Sequence, residues 1–290
     1  MTDRVRPFTL VTRATGRAWA PQAARPAAAT RGNGERRMAW SELTVEPARV
    51  RTAEPVPAIA RLCLLGTFRL EGAHGTVAVP ANEQRLLAYL GLHKRASRSV
   101  VAGTLWPDVS EEHAHGSLRT ALWRLRRTRR PMVCADGDHL YLSDAVRVDI
   151  DDFARAALRV TGAGHDPEDA PPSPDLLAGG ELLPGWDEEW IFFERERLRQ
   201  LRLHALESLS ALLTRRGCYA LALEAALRCI AIEPLRESAH CALVAVHLAE
   251  HNVAEAIRHY EAFRRLLRAE LGLEPSARFT AMFPRRTSGT

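Results

Sequence analysis

The sequence is poor in lysine and cysteine and has no long apolar run. Lys94 is the only lysine among the 40 basic residues, so arginine carries almost all of the positive charge. No apolar stretch approaches the roughly 18–20 residues that a membrane-spanning helix needs, which excludes an integral membrane protein and predicts no membrane partner. The 46% of apolar and 26% of charged residues indicate instead a globular chain, and its length predicts two domains.

Motifs for catalysis and for cofactor or metal binding are also missing. The five cysteines form no CxxC pair, so we expect buried free thiols in a reducing compartment rather than disulfides or a zinc site. Neither GxxxxGK[ST] nor GxGxxG occurs, and no residues suggest a catalytic triad or carboxylate pair. No apolar signal segment follows the first arginines. We therefore expect a cytoplasmic protein that is not an enzyme, with no catalytic residue, cofactor or metal ligand.

The net charge of +5 is distributed unevenly along the chain. Residues 1–58 carry +5, residues 59–148 carry a further +5, and residues 149–290 carry −5. Alanine, proline and arginine dominate the first segment without a sustained period, which predicts a disordered basic leader. The basic and acidic segments that follow indicate two domains with different partners.

The segment 59–148 begins with strand-like patterns and continues with helical ones. Short apolar alternations predict strands over Leu62–Leu70 and Thr76–Val79. After Pro80, leucines recur at helical spacing and predict a first helix. Ser97 is the predicted N-cap of a second helix.

The same segment closes with a third helix and a hairpin. The second helix is predicted to end near Leu105, before a proline, and the third to run from Ser110 to about Arg129. Asp136-Gly137 lies between two strand-like runs and predicts a β-hairpin. A strand pair, three helices and a hairpin together predict a winged helix-turn-helix, which is an α+β fold.

The segment 149–283 is helical in pattern, apart from a predicted loop over Thr161–Gly180 that is rich in Pro, Gly and Asp. A shift of 34 residues places His251 on the turn glycine Gly217, beside Asn252, which tolerates a left-handed conformation. This period is that of the tetratricopeptide repeat. We therefore predict a mainly α protein whose second domain is an all-α, tetratricopeptide-like helical repeat.

The third predicted helix has two contrasting faces. At 100° per residue, Leu118, Leu122 and Leu125 form a stripe that faces the core. Thr120 and Trp123 lie on the opposite side. For Trp123, the alternatives are burial against another part of the domain and contact with a DNA sugar or thymine methyl group.

The face opposite the leucine stripe is strongly basic. Six arginines and no acidic residue occur from Arg119 to Arg130. Because a solvated face normally interleaves charges of both signs, and guanidinium groups fit phosphates and guanine edges, we interpret this face as a DNA-binding surface. The alternative is an ordinary surface helix in an arginine-rich chain.

The candidate DNA contacts also include the start of the second helix, where a hydroxyl and an amide can hold a phosphate. The alternative for Ser97 is capping alone. The hairpin tip, Asp136–His139, would lie beside the minor groove, where its carboxylates allow only weak contacts. The expected DNA-binding residues are Ser97, Arg98, Arg119, Thr120, Trp123, Arg124, Arg126 and Arg127.

Two sets of motifs occur along the chain. The first comprises Leu64-Leu65-Gly66, Phe68, Leu86-Leu87, Leu105-Trp106 and the segment from Leu118 to Arg127. The second comprises Gly180 to Pro184, Trp186 to Trp190, Glu233-Pro234-Leu235-Arg236-Glu237 and Glu270 to Ser276. The first set resembles the winged helix, and the second the bacterial transcriptional activator domain, of the antibiotic regulatory protein (SARP) family of transcriptional activators. Together they cover roughly 61–283. His115 and Trp123 depart from the residues common in the family.

The resemblance implies a winged-helix DNA-binding domain over 59–148, a bacterial transcriptional activator domain with tetratricopeptide-like repeats over 149–283, and a tail over 284–290. It implies a pathway-specific activator of secondary metabolism, such as antibiotic biosynthesis. Such a protein is associated with the nucleoid, binds direct repeats in double-stranded promoter DNA as a homodimer and recruits RNA polymerase. By resemblance to response-regulator effector domains, the loop Trp106–Ser110 is the element expected to face the polymerase. Two other interpretations stay open: a repeat-based protein-interaction adaptor, and a repressor that uses the same DNA-binding face.

Overall fold

A computed structural model describes residues 60–126, 131–162, 176–177 and 179–283. The predicted leader and tail, Arg127 and most of the predicted loop 161–180 lie outside the described residues. Its strands are β1 (Ala60–Cys63), β2 (Arg69–Gly72), β3 (Gly75–Val77), β4 (Arg95–Ser97), β5 (Val133–Asp136), β6 (His139–Leu142) and β7 (Val146–Val148). Its helices are α1 (Ala81–His93), α2 (Arg98–Leu105), α3 (Glu111–Arg126), α4 (Asp149–Val160), α5 (Glu189–Arg215), α6 (Tyr219–Ile232), α7 (Glu237–Ala249), α8 (Val253–Leu271) and α9 (Ala277–Thr280).

The first sheet joins the two ends of the N-terminal part. Its strand order is β3-β2-β1-β7, in which β1 is antiparallel to β2 and parallel to β7. The prediction of one strand over Leu62–Leu70 is wrong. The chain turns at Gly66, whose φ of +92° is accessible to glycine, and returns as β2. Strand β7 had no sequence prediction because its partner lies far away along the chain.

Three helices and a second sheet complete the predicted winged helix. Helices α1, α2 and α3 pack on one another, and the second sheet has the order β4-β6-β5. The Asp136-Gly137 turn joins β5 to β6, as predicted. The Ser97 hydroxyl oxygen accepts a hydrogen bond from the Val100 amide at 3.3 Å, so the predicted cap of α2 is confirmed.

The helices after β7 form the predicted repeat array. Helix α5 packs on α6, α6 on α7, and α7 on α8. Gly217 and His251, which are 34 residues apart, both have left-handed φ values, of +71° and +62°. His251 itself therefore takes the left-handed position, whereas Asn252 has a φ of −84°. The fold is mainly α, with a winged helix followed by helical repeats, as predicted.

A seam joins the winged helix to the helical part. It consists of the chain after β1, Leu64–Gly66, and the segment Gly180–Leu183. The Gly66 amide donates to the Glu181 carbonyl oxygen at 2.7 Å, and the Leu183 amide donates to that of Leu64 at 2.9 Å. A Cβ on Gly180 would lie only 3.1 Å from the Gly66 nitrogen, so the two backbones touch. One hydrophobic core continues across this seam.

Asp149, the first residue of α4, binds the segment after β1 from the other side. The Leu64 and Leu65 amides donate to its carboxylate at 2.9 and 3.0 Å. Burial raises the pKa of Asp149, and these amide hydrogen bonds oppose the rise. The end of β1 is thus bound both by α4 and by the segment Gly180–Leu183.

The cysteines are all free thiols, as predicted. Cys63 and Cys229 are buried, and burial raises the pKa of Cys229 to about 12. The prediction that the thiols are buried is wrong for Cys218, which is exposed, and only partly right for Cys134 and Cys241. Within the described ranges, no helix is long and apolar enough to cross a membrane.

Candidate nucleic-acid interface

Helix α3 is anchored by its apolar stripe. Leu118, Leu122 and Leu125 are buried, as the helical spacing predicts, together with Ala114 and Ala121. This stripe packs against α1 and α2. Its burial fixes the rotation of α3, so that the opposite face points away from the core.

The outward face presents side chains of the types that read and hold DNA. Arg119, Thr120 and Arg126 are exposed, and Trp123 keeps 59% of its surface accessible. The alternative in which Trp123 is buried against the domain is therefore wrong. The Thr120 hydroxyl donates to the Gly116 carbonyl oxygen at 3.0 Å, which leaves its methyl group and lone pairs available. Arg127 lies outside the described residues.

An acid from α1 modifies this basic face. The Glu83 side chain is 99% buried, and its Oε1 lies 3.2 Å from Nη1 of Arg124. The Arg124 side chain remains about half exposed, so its other N–H groups can still reach a ligand. The absence of acids from Arg119 to Arg130 holds along the sequence, but folding brings Glu83 to the edge of the face. No sequence signal marks this pair.

The start of α2 and the hairpin tip form a second group of candidate contacts. The Arg98 amide donates to the Asp138 carbonyl oxygen at 2.9 Å, and Ser97 pairs with His139 in the second sheet. The Arg98 amide is therefore occupied, contrary to the expectation that it holds a phosphate. The Ser97 hydroxyl hydrogen and the Arg98 guanidinium are the groups that can still do so.

One carboxylate of the hairpin tip is neutralised within the fold. Nη2 of Arg95 lies 2.7 Å from Oδ2 of Asp136. This exposed ion pair reduces the repulsion that the tip would exert on a phosphate backbone. Sequence reasoning did not single out Arg95. Its position beside the Ser97 cap was the available signal.

The loop after α2 borders an open groove on another side of the molecule. This groove has a volume of about 690 Å³ and is lined by Arg85, residues 103–109, residues 187–190 and Phe193. Trp106 is half-buried, whereas Val109 is 48% exposed. Phe192 and Phe193 are 68% and 82% exposed, although phenylalanine normally packs inside. Sequence reasoning missed this pair, because a single Phe-Phe step in a helix has no periodicity of its own.

No cluster of three or more histidine, cysteine or acidic side chains suited to a metal ion exists in the part of the chain that the structure describes. The groove beside α3 is lined by residues of α1 and α3, among them Asn82, His113, Ser117 and Arg119 and the acids Glu83 and Glu112. Arginines and acids therefore both line this groove.

Comparisons with known proteins agree with this architecture. The model of the family described as bacterial transcriptional activator domain matches residues 175–285. The chain is 31% identical over 228 residues to the regulatory protein AfsR of Streptomyces coelicolor, which covers 74% of this chain and 23% of AfsR. It is 28% identical over 245 residues to the regulatory protein AfsR of Streptomyces griseus, which covers 78% and 25%. The chain thus spans about a quarter of the length of these curated relatives.

A solved structure supports the fold. Mycobacterium tuberculosis EmbR, in complex with a low-affinity phosphopeptide, superposes with a TM-score of 0.61 at 15% identity. The match covers 77% of this chain and 64% of the EmbR chain. It shows a shared arrangement of the elements. The activator-domain match and the AfsR relatives assign the chain to the antibiotic regulatory protein family of transcriptional regulators, as its sequence motifs predict.

Proposed function

We propose that this protein is a sequence-specific DNA-binding transcriptional activator and not an enzyme. The observation that carries the proposal is the outward face of α3. A helix of 16 residues, held by a buried leucine stripe, exposes Arg119, Thr120, Trp123 and Arg126 together. A single helix of this kind fits the major groove of B-DNA.

In the proposed complex, each candidate residue has a distinct role. Arg119 and Arg126 contact phosphates or guanine edges, and Trp123 packs on a sugar or a thymine methyl group. Arg124 keeps its pair with Glu83 and offers its remaining N–H groups. Arg127 extends the basic face.

The contacts beside α3 hold the DNA backbone. The Ser97 hydroxyl and the Arg98 guanidinium bind phosphates next to the hairpin tip. Residues 59–148 then form the DNA-binding domain, and 149–283 the activator domain. Two protomers bind two direct repeats at a promoter, and the regulated genes belong to one pathway of secondary metabolism.

The groove beside the Trp106–Ser110 loop is the proposed contact with RNA polymerase. Val109 and Phe193 supply exposed apolar surface, and Asp108, Asp187 and Glu189 border it, while Glu188 is paired with Arg85 at 2.9 Å. Apolar residues with an acidic border fit a partner surface that is apolar at its centre and basic at its rim. The groove lies on residues other than the α3 face, which leaves that face available for DNA.

DNA binding is tested with fragments from upstream of the protein's own and neighbouring genes. Footprinting is expected to protect two repeats in the same orientation, about one helical turn apart. Arg127→Ala is expected to weaken operator binding while the helical content stays unchanged. A gel-shift affinity equal to that of the wild type would contradict this role.

The alternatives are separated by transcription in vitro with purified RNA polymerase. An activator raises the transcript level, whereas a repressor lowers it. Phe192→Ser/Phe193→Ser is expected to bind the operator normally and to lose activation, while Leu227→Ser, which alters an exposed residue of α6, behaves as wild type. The adaptor interpretation predicts no measurable operator binding, or binding that hardly depends on salt.

A further inference from the structure

A cavity of about 320 Å³ lies between the seam and the helical part. Its apolar wall consists of Leu65 and Leu182 of the seam, Phe153 of α4, Leu198 of α5 and Ile232 of α6. Arginines of α5 supply its polar wall. This volume is at the lower end of the range for small-molecule sites. None of the lining residues belongs to the proposed DNA-binding or polymerase surfaces.

Arg202 is the unusual member of this wall. It is 91% buried, and its Nη1 donates to the Gly180 carbonyl oxygen at 2.6 Å. Its Nη2 is also buried and has no hydrogen-bond partner among the described residues. The guanidinium lies 5.0 Å from the centre of the Phe153 ring, which stabilises a cation only modestly.

No described carboxylate compensates the charge of Arg202. Glu181 also lines the cavity, but its Oε1 lies 3.2 Å from Nε of Arg195. The neighbouring Arg199 is bound to Glu196 and Glu233. The acids close to the cavity are therefore engaged by other arginines.

Burial of an uncompensated cation is costly, because the guanidinium loses its hydration without gaining an opposite charge. Burial lowers the pKa of Arg202, and the nearby positive charge of Arg228 lowers it further. A guanidinium nevertheless stays protonated under all ordinary conditions. An anion in the cavity would supply both the missing charge and an acceptor for Nη2.

We propose that this cavity binds a small amphipathic organic anion, with its carboxylate on Nη2 of Arg202 and its apolar body against Phe153, Leu198 and Ile232. A carboxylate suits the site because a charge-assisted hydrogen bond to a guanidinium is strong in a water-poor cavity. The apolar wall selects a chain or ring over a bare inorganic ion. The site goes beyond the proposed function, since DNA binding by α3 does not require it.

Octanoate and octan-1-ol are the matched probes, because they share the apolar chain and differ in the charged head. Isothermal titration calorimetry with the full chain is expected to show one site that binds octanoate, below its micellar concentration, at least tenfold more tightly than octan-1-ol. Saturating octanoate is also expected to raise the melting temperature. Equal affinities for the two probes, or no binding of octanoate, would overturn the proposal.

Three variants locate the site. Arg202→Met is expected to weaken octanoate binding at least tenfold, to the level of octan-1-ol. Ile232→Trp fills the cavity and is expected to abolish binding of both probes, which keeps the test decisive if Arg202→Met does not fold. Arg197→Met removes an exposed arginine of the same helix and is expected to bind octanoate as wild type. Octanoate binding that survives Ile232→Trp in a folded protein would place the anion elsewhere and overturn the proposal.

Discussion

Arginine has opposite roles in α3 and α5. On α3, Arg119 and Arg126 are exposed, and neither has an ion pair among the described residues. On α5, Arg195 is mostly buried and donates to three backbone carbonyl oxygens of the segment 182–186, at 2.8 to 3.0 Å. The same side chain is thus left available on one helix and used as an internal clamp on the other.

The difference lies in what surrounds each helix. Helix α3 exposes its polar face to solvent and meets a single buried acid, Glu83. Helix α5 lies against the segment before it, and Arg195 donates to carbonyl oxygens of that segment. A guanidinium carries five N–H groups in a planar fork, so it can satisfy several acceptors at once. Composition alone therefore does not separate a ligand-binding arginine from a structural one.

The largest effect is expected from removal of the clamp. Arg195→Ala removes a donor from the carbonyl oxygens of Leu182, Leu183 and Trp186 and from Glu181, and the Leu183 oxygen keeps the Trp186 amide as a donor at 3.2 Å. The free energy of unfolding should therefore fall by about 3 kcal/mol. Urea denaturation measures this loss. Arg197→Ala on the same helix breaks only an exposed pair with Glu194 and should cost less than about 0.5 kcal/mol. Equal losses in the two variants would break the distinction between the two kinds of arginine.

On α3, loss of arginines is expected to weaken DNA binding and to leave stability almost unchanged. Arg119→Ala/Arg126→Ala should change the free energy of unfolding by less than about 0.5 kcal/mol. Operator affinity should nevertheless fall by about 10- to 100-fold, with a salt slope reduced by about 1.8 if both residues contact phosphates. Fluorescence anisotropy over a salt series measures both quantities. Arg258→Ala/Arg265→Ala on α8 removes the same charge and should leave affinity and slope nearly unchanged.

His240 on α7 and His259 on α8 form a hydrogen-bonded pair of titratable side chains. Nε2 of His240 lies 2.9 Å from the Pro234 carbonyl oxygen and therefore donates to it, so Nδ1 accepts the hydrogen bond from Nε2 of His259, also at 2.9 Å. Both rings are neutral in this arrangement. Burial lowers the pKa of His240, and burial together with the neighbouring His240 and His247 lowers that of His259 to about 4.

The sign of the pH effect follows from proton binding. Between pH 6.5 and 4, the unfolded chain binds a proton at His259 that the folded protein does not, so stability falls as the pH falls through this range. The slope is at most about 1.4 kcal/mol per pH unit for one histidine, and partial exposure of the ring reduces it. Urea denaturation at pH 7 and pH 5 measures the difference. His259→Gln should have a shallower pH dependence, and an unchanged dependence would exclude this pair as its source.

The smallest effect is expected from Glu83. Glu83→Gln keeps an acceptor for Arg124 but removes the only described carboxylate paired with the α3 arginines. Operator affinity is expected to rise by a few-fold at low salt, because one repulsive charge near the phosphates is lost. Glu250→Gln, at the end of α7, is the control and should leave the affinity unchanged. A lower affinity of Glu83→Gln would mean that the ion pair orients Arg124 for binding.

Local signals predicted the features that depend on neighbouring residues in the chain. The Ser97 cap, the Asp136-Gly137 turn and the leucine stripe of α3 each follow from a few adjacent positions, and each is present. The helix-pair repeat was found from its period of 34, although the left-handed conformation belongs to His251 rather than to Asn252. These features require no knowledge of the tertiary fold.

Features that depend on distant partners could not be predicted in this way. The parallel pairing of β7 with β1, the contact of Glu83 with Arg124 and the clamp by Arg195 each join segments without a shared pattern. The division of Leu62–Leu70 by a turn was missed because Gly66 stands within a strand-like alternation of apolar and polar residues. In the candidate site, the residue types were predicted, but the partner of Arg124 and the use of the Arg98 amide required the fold.

The seam has a consequence for the geometry of a promoter. Because Gly180 lies against Gly66 and the core continues past them, the winged helix and the first helices of the repeat turn as one body. In the proposed DNA complex, the direction in which Phe193 points would then be set by the face of the duplex that α3 contacts. Insertion of half a helical turn, roughly five base pairs, between operator and promoter would rotate that surface to the far side of the DNA, and a full turn would restore it. The contact between the two glycine backbones would therefore make activation depend periodically on the spacing between operator and promoter.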